Sequence, residues 1–137
     1  MEIINKIKKY KKRNHITYSC QYHVIFCPKY RRKVLVDGID TRLKEILNDV
    51  AKKYDFEILE MEVMPDHVHL LIDCDPKFGI YECIKKLKGT SASMLRKEFP
   101  ALKTRIPTLW TRANFISTCG AVSLDVVKQY IQEQKKV

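Results

Sequence analysis

An alternating stretch near the start of the chain most restricts how this sequence can fold. From Tyr18 to Cys27, successive side chains fall into two interleaved sets, and Pro28 then ends the pattern. A period of two residues is that of a β-strand with one face toward a core. The chain therefore needs a sheet that includes this strand and further elements that cover one face of the sheet.

The rest of the chain supplies those elements. Asp37 is placed to cap a helix, and Ser123 to cap the last one. The predicted elements, in chain order, are strand 18–27, helix 37–54, strand 56–64, strand 67–74, helix 78–97, strand 115–119 and the C-terminal helix. The first six follow the β-α-β-β-α-β order of the ferredoxin-like α+β fold, an antiparallel sheet with two helices on one face. The last helix is additional, and is free to lie over the open face or to reach a second subunit.

Charge is the unusual property of the composition. The 137 residues include 26 Lys and Arg against 16 Asp and Glu, which gives a formal net charge of +10. Basic residues concentrate in residues 1–33 and 77–105, and acidic residues in 37–66. This balance favours a polyanionic partner, either nucleic acid or an anionic membrane surface, although a solvated lysine-rich surface has the same composition.

The cysteines and the hydropathy pattern restrict the class of protein further. The five cysteines form no CxxC pair, which argues against a disulfide framework and against a cysteine-based zinc site. No apolar run approaches the roughly 20 residues that span a bilayer, and no apolar segment of the signal-peptide kind follows the basic N-terminus. We therefore expect a cytoplasmic protein with reduced, mostly buried thiols.

Two histidines stand inside the predicted third strand. Alternation places His67 and His69 on the face opposite Val68, about 6.6 Å apart along the backbone. Two imidazoles at this spacing form half of a metal site, because both can turn toward one cation. Two solvated or hydrogen-bonded histidines would give the same pattern.

Tyr130 and Gln134 are four residues apart and share one face of the predicted last helix. A phenol is able to attack phosphorus if the cost of its deprotonation is lowered, for example by a divalent ion that polarises the phosphate. The amide oxygen of Gln134 is a competent ligand for Mg²⁺ or Mn²⁺. An amphipathic tyrosine at a packing margin and a solvated glutamine are the plain alternative.

Five segments occur in series along the chain: 22–33 (YHVIFCPKYRRK), 64–72 (MPDHVHLLI), 85–89 (KKLKG), 95–100 (LRKEFP) and 126–134 (VVKQYIQEQ). Together they closely resemble the single-tyrosine HUH transposases of the IS200/IS605 insertion-sequence family. The resemblance covers roughly residues 15–134. It leaves residues 1–14 as a basic N-terminal tail and makes 15–137 a single domain.

The resemblance implies a site and a reaction. It makes His67 and His69 metal ligands, with Gln134 completing the protein ligands of a Mg²⁺ or Mn²⁺ ion. It makes Tyr130 the nucleophile that attacks a phosphodiester in single-stranded DNA and leaves a 5′-phosphotyrosine and a free 3′-OH. It further implies recognition of DNA hairpins near element ends, and a homodimer in which the tyrosine helix of one subunit serves the histidine pair of the other.

Two basic clusters fit a DNA partner. The first, residues 29–33, combines cations for phosphates with an aromatic ring for base stacking, and the second lies on the second helix. The candidate DNA contacts are Lys29, Tyr30, Arg31, Arg32, Lys33, Lys85, Lys86 and Lys88. For any single member, a solvated surface charge is an equally good interpretation.

Two other functions are compatible with this topology. A ferredoxin-like sheet is able to bind RNA or single-stranded DNA without chemistry, but the Lys/Arg-Gly-Phe type of signature is missing from the strands. A metal-dependent or 2H-type phosphoesterase acting on small substrates would need a second His-x-Ser/Thr motif, and the sequence offers only His15-Ile16-Thr17. A protein-linked DNA product on a denaturing gel would separate the transposase from both.

Overall fold

The computed structural model describes residues 11–13, 15–119 and 124–136. The Ser123 cap and most of the basic tail therefore lie outside the described residues. The elements are β1 Lys11–Arg13, β2 Ile16–Tyr18, β3 Gln21–Phe26, a short turn of 3₁₀ helix Lys29–Arg31, α1 Ile39–Tyr54, β4 Glu57–Met64, β5 His67–Asp73, α2 Ile80–Glu98, α3 Ala101–Arg105, β6 Phe115–Thr118, α4 Leu124–Glu133 and a final 3₁₀ turn Gln134–Lys136.

The main sheet confirms the predicted α+β fold. Its strand order is β4-β5-β3-β6, and every neighbouring pair is antiparallel. This is the order in which a β-α-β-β-α-β chain forms a split βαβ sheet. The two central strands, β3 and β5, are consequently the strands that carry Tyr22–Phe26 and the histidine pair.

One face of this sheet forms the core. Val24 and Phe26 of β3 and Val68, Leu70 and Ile72 of β5 are fully buried and belong to the core cluster. The helices contribute the other half of that cluster through Leu43, Ile46 and Leu47 of α1 and Cys83, Ile84 and Leu87 of α2. Because side chains alternate along a strand, the residues between these apolar ones project to the open face.

The first predicted strand is divided into two. Ser19 and Cys20 interrupt it, and the Cys20 amide donates to Asp73 Oδ1 at 3.2 Å instead of to a strand neighbour. The segment before the break is β2, which pairs with β1. Lys11–Arg13, which we placed in the tail, are thus strand residues, and Lys11 Nζ lies 2.8 Å from Glu57 Oε1.

Two connections differ from the sequence prediction. Asp37 does not cap α1: it has a φ of 54°, and Gly38, at a φ of 94° that an L side chain rarely adopts, stands at the N-cap. The segment between Pro100 and Pro107, for which the sequence predicts a loop, contains the short helix α3. None of the helices in the described part of the chain is long and apolar enough to cross a membrane.

Trp110 anchors the segment before β6 to β3 and α2. Its indole packs edge-on against Phe26, with ring centroids 4.8 Å apart, and its Nε1–H donates to Ser91 Oγ at 3.0 Å. The Ser91 hydroxyl in turn donates to the Leu87 carbonyl at 2.6 Å. Both hydroxyl contacts lie in the interior between α2 and the segment before β6.

Ser91→Ala should lower the free energy of unfolding by about 1–3 kcal/mol, because it leaves the buried indole N–H without an acceptor. Urea denaturation followed by tryptophan fluorescence measures this change. Ser93→Ala is the matched control, since Ser93 lies on the exposed side of the same helix. Equal effects of the two substitutions would contradict the role given to Ser91.

Candidate active site

His67 and His69 lie on the open face of β5, as predicted from alternation. Val68 between them is fully buried in the core, while both histidines are partly exposed. His67 follows the Pro65-Asp66 turn, and its Nδ1 lies 2.9 Å from Asp66 Oδ1. A carboxylate on one ring nitrogen fixes the orientation of an imidazole and leaves the other nitrogen, here Nε2, for a ligand.

A third histidine, which the sequence analysis did not single out, stands beside this pair. Nδ1 of His23 lies 3.2 Å from Nε2 of His69, and the two rings are tilted by 45°. His23 is opposite Leu71 in the β3–β5 register, which makes it a diagonal neighbour of His69. Its place in the alternating stretch was the available signal, but only the strand pairing shows which residue it meets.

The surroundings favour neutral imidazole at His69. Burial lowers the pKa of His69, and the positive charge that His23 would carry lowers it further. A neutral imidazole is the form that ligates metal. Ring nitrogens of His67 and His69 on one face, with a carboxylate behind His67, therefore fit a divalent ion in donor chemistry. No group of three or more His, Cys, Asp or Glu side chains in the described residues is already arranged around a metal position.

Tyr130, on α4, lies over the β6 side of the open face. Its ring packs against Phe115 with centroids 5.2 Å apart. Phe115 is opposite Ile25, and Ile25 is opposite His69, so strand spacing puts the backbones of Phe115 and His69 about 10 Å apart. The tyrosine and the histidine pair therefore share a face without touching.

The phenol of Tyr130 is in a buried position. Its oxygen has no hydrogen-bond partner among the described residues. Burial raises the pKa of Tyr130, and the nearby Cys27 thiol acts in the same direction. The phenol is consequently protonated at neutral pH in this arrangement, and an unpaired buried hydroxyl costs about 1–3 kcal/mol.

Gln134, the third predicted metal ligand, lies elsewhere. It is 5% exposed, and its Oε1 accepts from the Thr111 hydroxyl at 3.4 Å. The hydrogen bonds of the described residues bring neither Gln134 nor Tyr130 to His67 or His69. The structure places Tyr130 over the sheet face that carries the histidines, and Gln134, in the 3₁₀ turn after α4, against the segment before β6.

The five residues 29–33 have unequal surroundings. Tyr30 is 47% exposed, with the Lys29 ammonium 5.2 Å from its ring centroid, and Arg32 and Lys33 are exposed. Arg31 is different, because its guanidinium turns inward to Asp66 and α4. Four of the five candidate DNA contacts in this cluster are therefore open to a ligand in the chain as described.

The three lysines of α2 also differ in whether they face solvent or the interior. Lys85 is exposed, and Lys86 lies 5.2 Å from the ring centroid of Tyr54. Lys88 points into the protein, where its Nζ donates to the Thr111 carbonyl at 2.6 Å and to Asn114 Oδ1 at 2.7 Å. Burial lowers the pKa of Lys88 to about 8. Lys88 is thus placed to hold the segment before β6.

Comparison with known proteins identifies the family. The model of the IS200-like transposases matches residues 16–134, which is most of the chain. The chain belongs to the IS200-like transposase family. The ISDra2 transposase TnpA of Deinococcus radiodurans is 39% identical over 126 residues, which cover 90% of each protein. The transposase of insertion sequence IS200 from Salmonella typhimurium is 32% identical over 126 residues, covering 88% of this chain and 83% of the relative.

One solved structure agrees with this assignment to the IS200-like transposases, and a second shares the fold. A crystal structure of a D. radiodurans R1 transposase superimposes with a TM-score of 0.82 at 38% identity, and the match covers 90% of this chain and 96% of the other. A REP-associated tyrosine transposase bound to a REP hairpin matches at a TM-score of 0.55 and 12% identity, over 88% of this chain and 67% of the other, which shows a common fold.

Membership in the IS200-like family decides between the functions that the sequence left open. The protein is a DNA transposition enzyme of the tyrosine transposase class. The binding module without chemistry and the 2H phosphoesterase are no longer needed to explain the topology, because the match runs through the histidine pair and the tyrosine helix together.

Lys88→Met should lower the free energy of unfolding by about 1–3 kcal/mol, because the Thr111 carbonyl and Asn114 amide lose their donor while the aliphatic stem is kept. Thermal unfolding by circular dichroism measures this. Lys85→Met, on the exposed side of α2, serves as the control and should leave stability unchanged. If Lys88→Met instead weakened DNA binding at unchanged stability, the assignment of Lys88 to the interior network would be wrong.

Proposed function

We propose that this transposase cleaves and rejoins single-stranded DNA through a covalent tyrosine intermediate at the open face of the sheet. The observation that carries the proposal is the placement of His67 and His69 on that face, with Asp66 orienting His67, beside a helix that bears a buried tyrosine. These are the residues that the family resemblance assigns to the reaction. The superposition on the D. radiodurans R1 transposase, with a TM-score of 0.82, supports the same fold around them.

His67 and His69 are the proposed protein ligands of a Mg²⁺ or Mn²⁺ ion, which when bound would polarise the scissile phosphodiester and stabilise developing charge. Asp66 keeps His67 in one tautomer by occupying Nδ1. Gln134 is the further proposed ligand, and it has to leave the Thr111 hydroxyl to reach the histidines. Its role therefore depends on a movement of the last turn of the chain.

Tyr130 is the proposed nucleophile. Its phenolic oxygen loses its proton and forms a bond to phosphorus, while the bond between phosphorus and the 3′ oxygen breaks and that oxygen takes up a proton. The products are a 5′-phosphotyrosine and a free 3′-OH. A later attack by a 3′-OH restores a phosphodiester and frees the tyrosine, so one phosphoester bond is exchanged for another and no ATP is required.

The conformation of Tyr130 is consistent with a resting enzyme. An unpaired, buried phenol with a raised pKa is a poor nucleophile. In this proposal, the reaction requires α4 to bring Tyr130 from Phe115 toward the histidines. The distance to be covered is about two strand spacings, the separation between Phe115 and His69 across the sheet.

The proposed substrate is single-stranded DNA that carries a hairpin near the element end. In the 29–33 cluster, the exposed Tyr30, Arg32 and Lys33 and the partly exposed Lys29 offer cations and a stacking ring. Lys85 and Lys86 extend the basic surface onto α2. The structural relative bound to a REP hairpin supports this class of ligand.

The proposed active form is a homodimer in which α4 of one subunit serves the histidines of the other. In the described chain, α4 lies against the 29–31 turn and β6 of its own subunit. An exchange of this helix between subunits would form the same contacts with the 29–31 turn and β6 of the partner subunit. The shared arrangement then places Tyr130 and His67 of one site on different chains.

Tyr130→Phe should abolish the covalent protein–DNA product, because it removes only the attacking oxygen and keeps the ring that packs on Phe115. A labelled hairpin oligonucleotide in Mg²⁺ or Mn²⁺, analysed on a denaturing gel, detects the adduct. Hairpin binding by the variant should persist. An adduct formed by Tyr130→Phe would remove Tyr130 from the mechanism.

The histidine arm of the same assay tests the metal ligands. His67→Ala and His69→Ala should each lose cleavage while retaining most hairpin affinity, because the proposed phosphate contacts lie on other elements. His15→Ala is the matched control, since His15 is exposed and distant along the chain from β5. Undiminished cleavage by either β5 variant would refute the proposed metal site.

Shared active sites predict complementation between two inactive proteins. A heterodimer of Tyr130→Phe and His67→Ala subunits contains one doubly defective site and one intact site if α4 crosses to the partner. Cleavage should therefore return after subunit exchange, as measured by the same adduct assay. If heterodimers are confirmed by differential tagging and no cleavage returns, each tyrosine works with the histidines of its own chain.

A further inference from the structure

Arg31 joins two parts of the candidate site, the Asp66 turn and the α4 segment that begins at Ile131, and it lies 100 residues before Ile131 in the sequence. Its Nε lies 3.1 Å from Asp66 Oδ2. Its NH1 group donates to the carbonyl of Ile131 at 3.2 Å and to Gln132 Oε1 at 3.3 Å. The Nε–H has no aligned acceptor, so the contact with Asp66 is an ion pair rather than a directed hydrogen bond.

Both ends of this bridge belong to functional segments. Asp66 holds His67 through its other oxygen, Oδ1, at 2.9 Å. Ile131 directly follows Tyr130. One guanidinium therefore connects the carboxylate behind a histidine with the main chain beside the tyrosine, and the planar fork of Arg is suited to serve two acceptors in different directions.

The backbone of the turn directs Arg31 inward. Tyr30 and Arg31 have φ angles of 59° and 51°, a left-handed conformation that is uncommon for residues other than glycine. Lys29 N–H donates to the Leu109 carbonyl at 2.9 Å and Arg31 N–H to the Pro28 carbonyl at 2.8 Å, which holds the turn in this form. Unfavourable backbone angles persist where surrounding contacts determine them, and such positions are common at functional sites.

Exposure separates Arg31 from its neighbours. The Arg31 side chain is 11% exposed and that of Asp66 16% exposed, whereas Arg32 lies on the exposed surface. A DNA phosphate would have to replace Asp66 and the α4 carbonyl to pair with Arg31. The next residue is available to a phosphate without any such replacement.

We propose that Arg31 is a positioning residue that docks α4 against the Asp66-His67 turn and so sets the place from which Tyr130 moves to the site. This rests on the proposed roles of Tyr130 and His67. Arg31 acts on α4 through the Ile131 carbonyl and the Gln132 side chain.

Hydrogen–deuterium exchange of the full-length protein, without DNA or metal, tests the dock directly. Arg31→Ala should speed exchange in residues 124–136 by about tenfold or more, because local opening no longer breaks charge-assisted hydrogen bonds. Exchange in α1 and α2 should stay at the wild-type rate. Arg31→Lys should resemble Arg31→Ala, since a single ammonium does not bridge Asp66 and the α4 carbonyl as a fork does.

Arg32→Ala is the matched control, one residue away and equal in charge. Arg32→Ala should leave α4 exchange unchanged. It should reduce the slope of log hairpin affinity against log salt concentration by the contribution of about one phosphate contact, whereas Arg31→Ala should leave that slope unchanged. Unchanged α4 exchange in Arg31→Ala together with a reduced salt slope would make Arg31 a DNA contact. Faster exchange throughout the protein would make it a general stability residue. Both results overturn the proposal.

The functional arm separates this proposal from the chemistry it rests on. Arg31→Ala should lower kcat for adduct formation with little change in KM for the hairpin, because the nucleophile is misplaced while DNA contacts remain. Faster α4 exchange with unchanged kcat would refute the positioning role. If the proposed chemistry is wrong, the Tyr130→Phe variant will still form a protein–DNA adduct. That result does not affect the hydrogen-exchange test of the contact between Arg31 and α4.

Discussion

The antiparallel pairing of β3 with β5 is the interaction on which the rest of the structure depends. It sets Val24 opposite Leu70 and Phe26 opposite Val68, and these pairs form the centre of the core. The same register fixes what lies on the other face, since a one-residue slip would move every side chain to the opposite side. His67 and His69 lie on the open face because Val68 between them is buried, so the core determines the position of the site.

The topology could be predicted because its signals are local. Alternation in β3 and β5, helical spacing in α1 and α2 and the Pro65-Asp66 turn each act within a few residues, and together they allow one sheet order. The N-cap of α1 could not be predicted in the same way, because both Asp37 and Gly38 are candidates for it. The left-handed backbone at that point favours glycine. The short helix after Pro100 is similarly hidden, since five residues give no usable period.

Candidate site residues could be proposed from the sequence, whereas their contacts could not. His67, His69 and Tyr130 follow from spacing and family resemblance, but the His23 contact with His69 depends on strand register between residues 46 apart. Basic residues show the same limit. The sequence does not distinguish Lys85 from Lys88, or Arg31 from Arg32. Only the packing of the chain determines which ammonium or guanidinium group binds oxygens of the protein itself.

The acidic residues of the edge strand β4 add a consequence for the direction in which a polyanion approaches. Glu62 is opposite His69 and Glu60 opposite Leu71, so both carboxylates flank the histidines on the open face. The basic 29–33 turn lies at the end of β3, on the other side of β5. Acidic side chains therefore lie at one margin of the sheet and basic side chains toward the other, at a separation comparable to the Debye length of about 8 Å at physiological salt. For the proposed nucleic acid ligand, the β4 margin is therefore electrostatically less favourable than the margin that carries the basic turn.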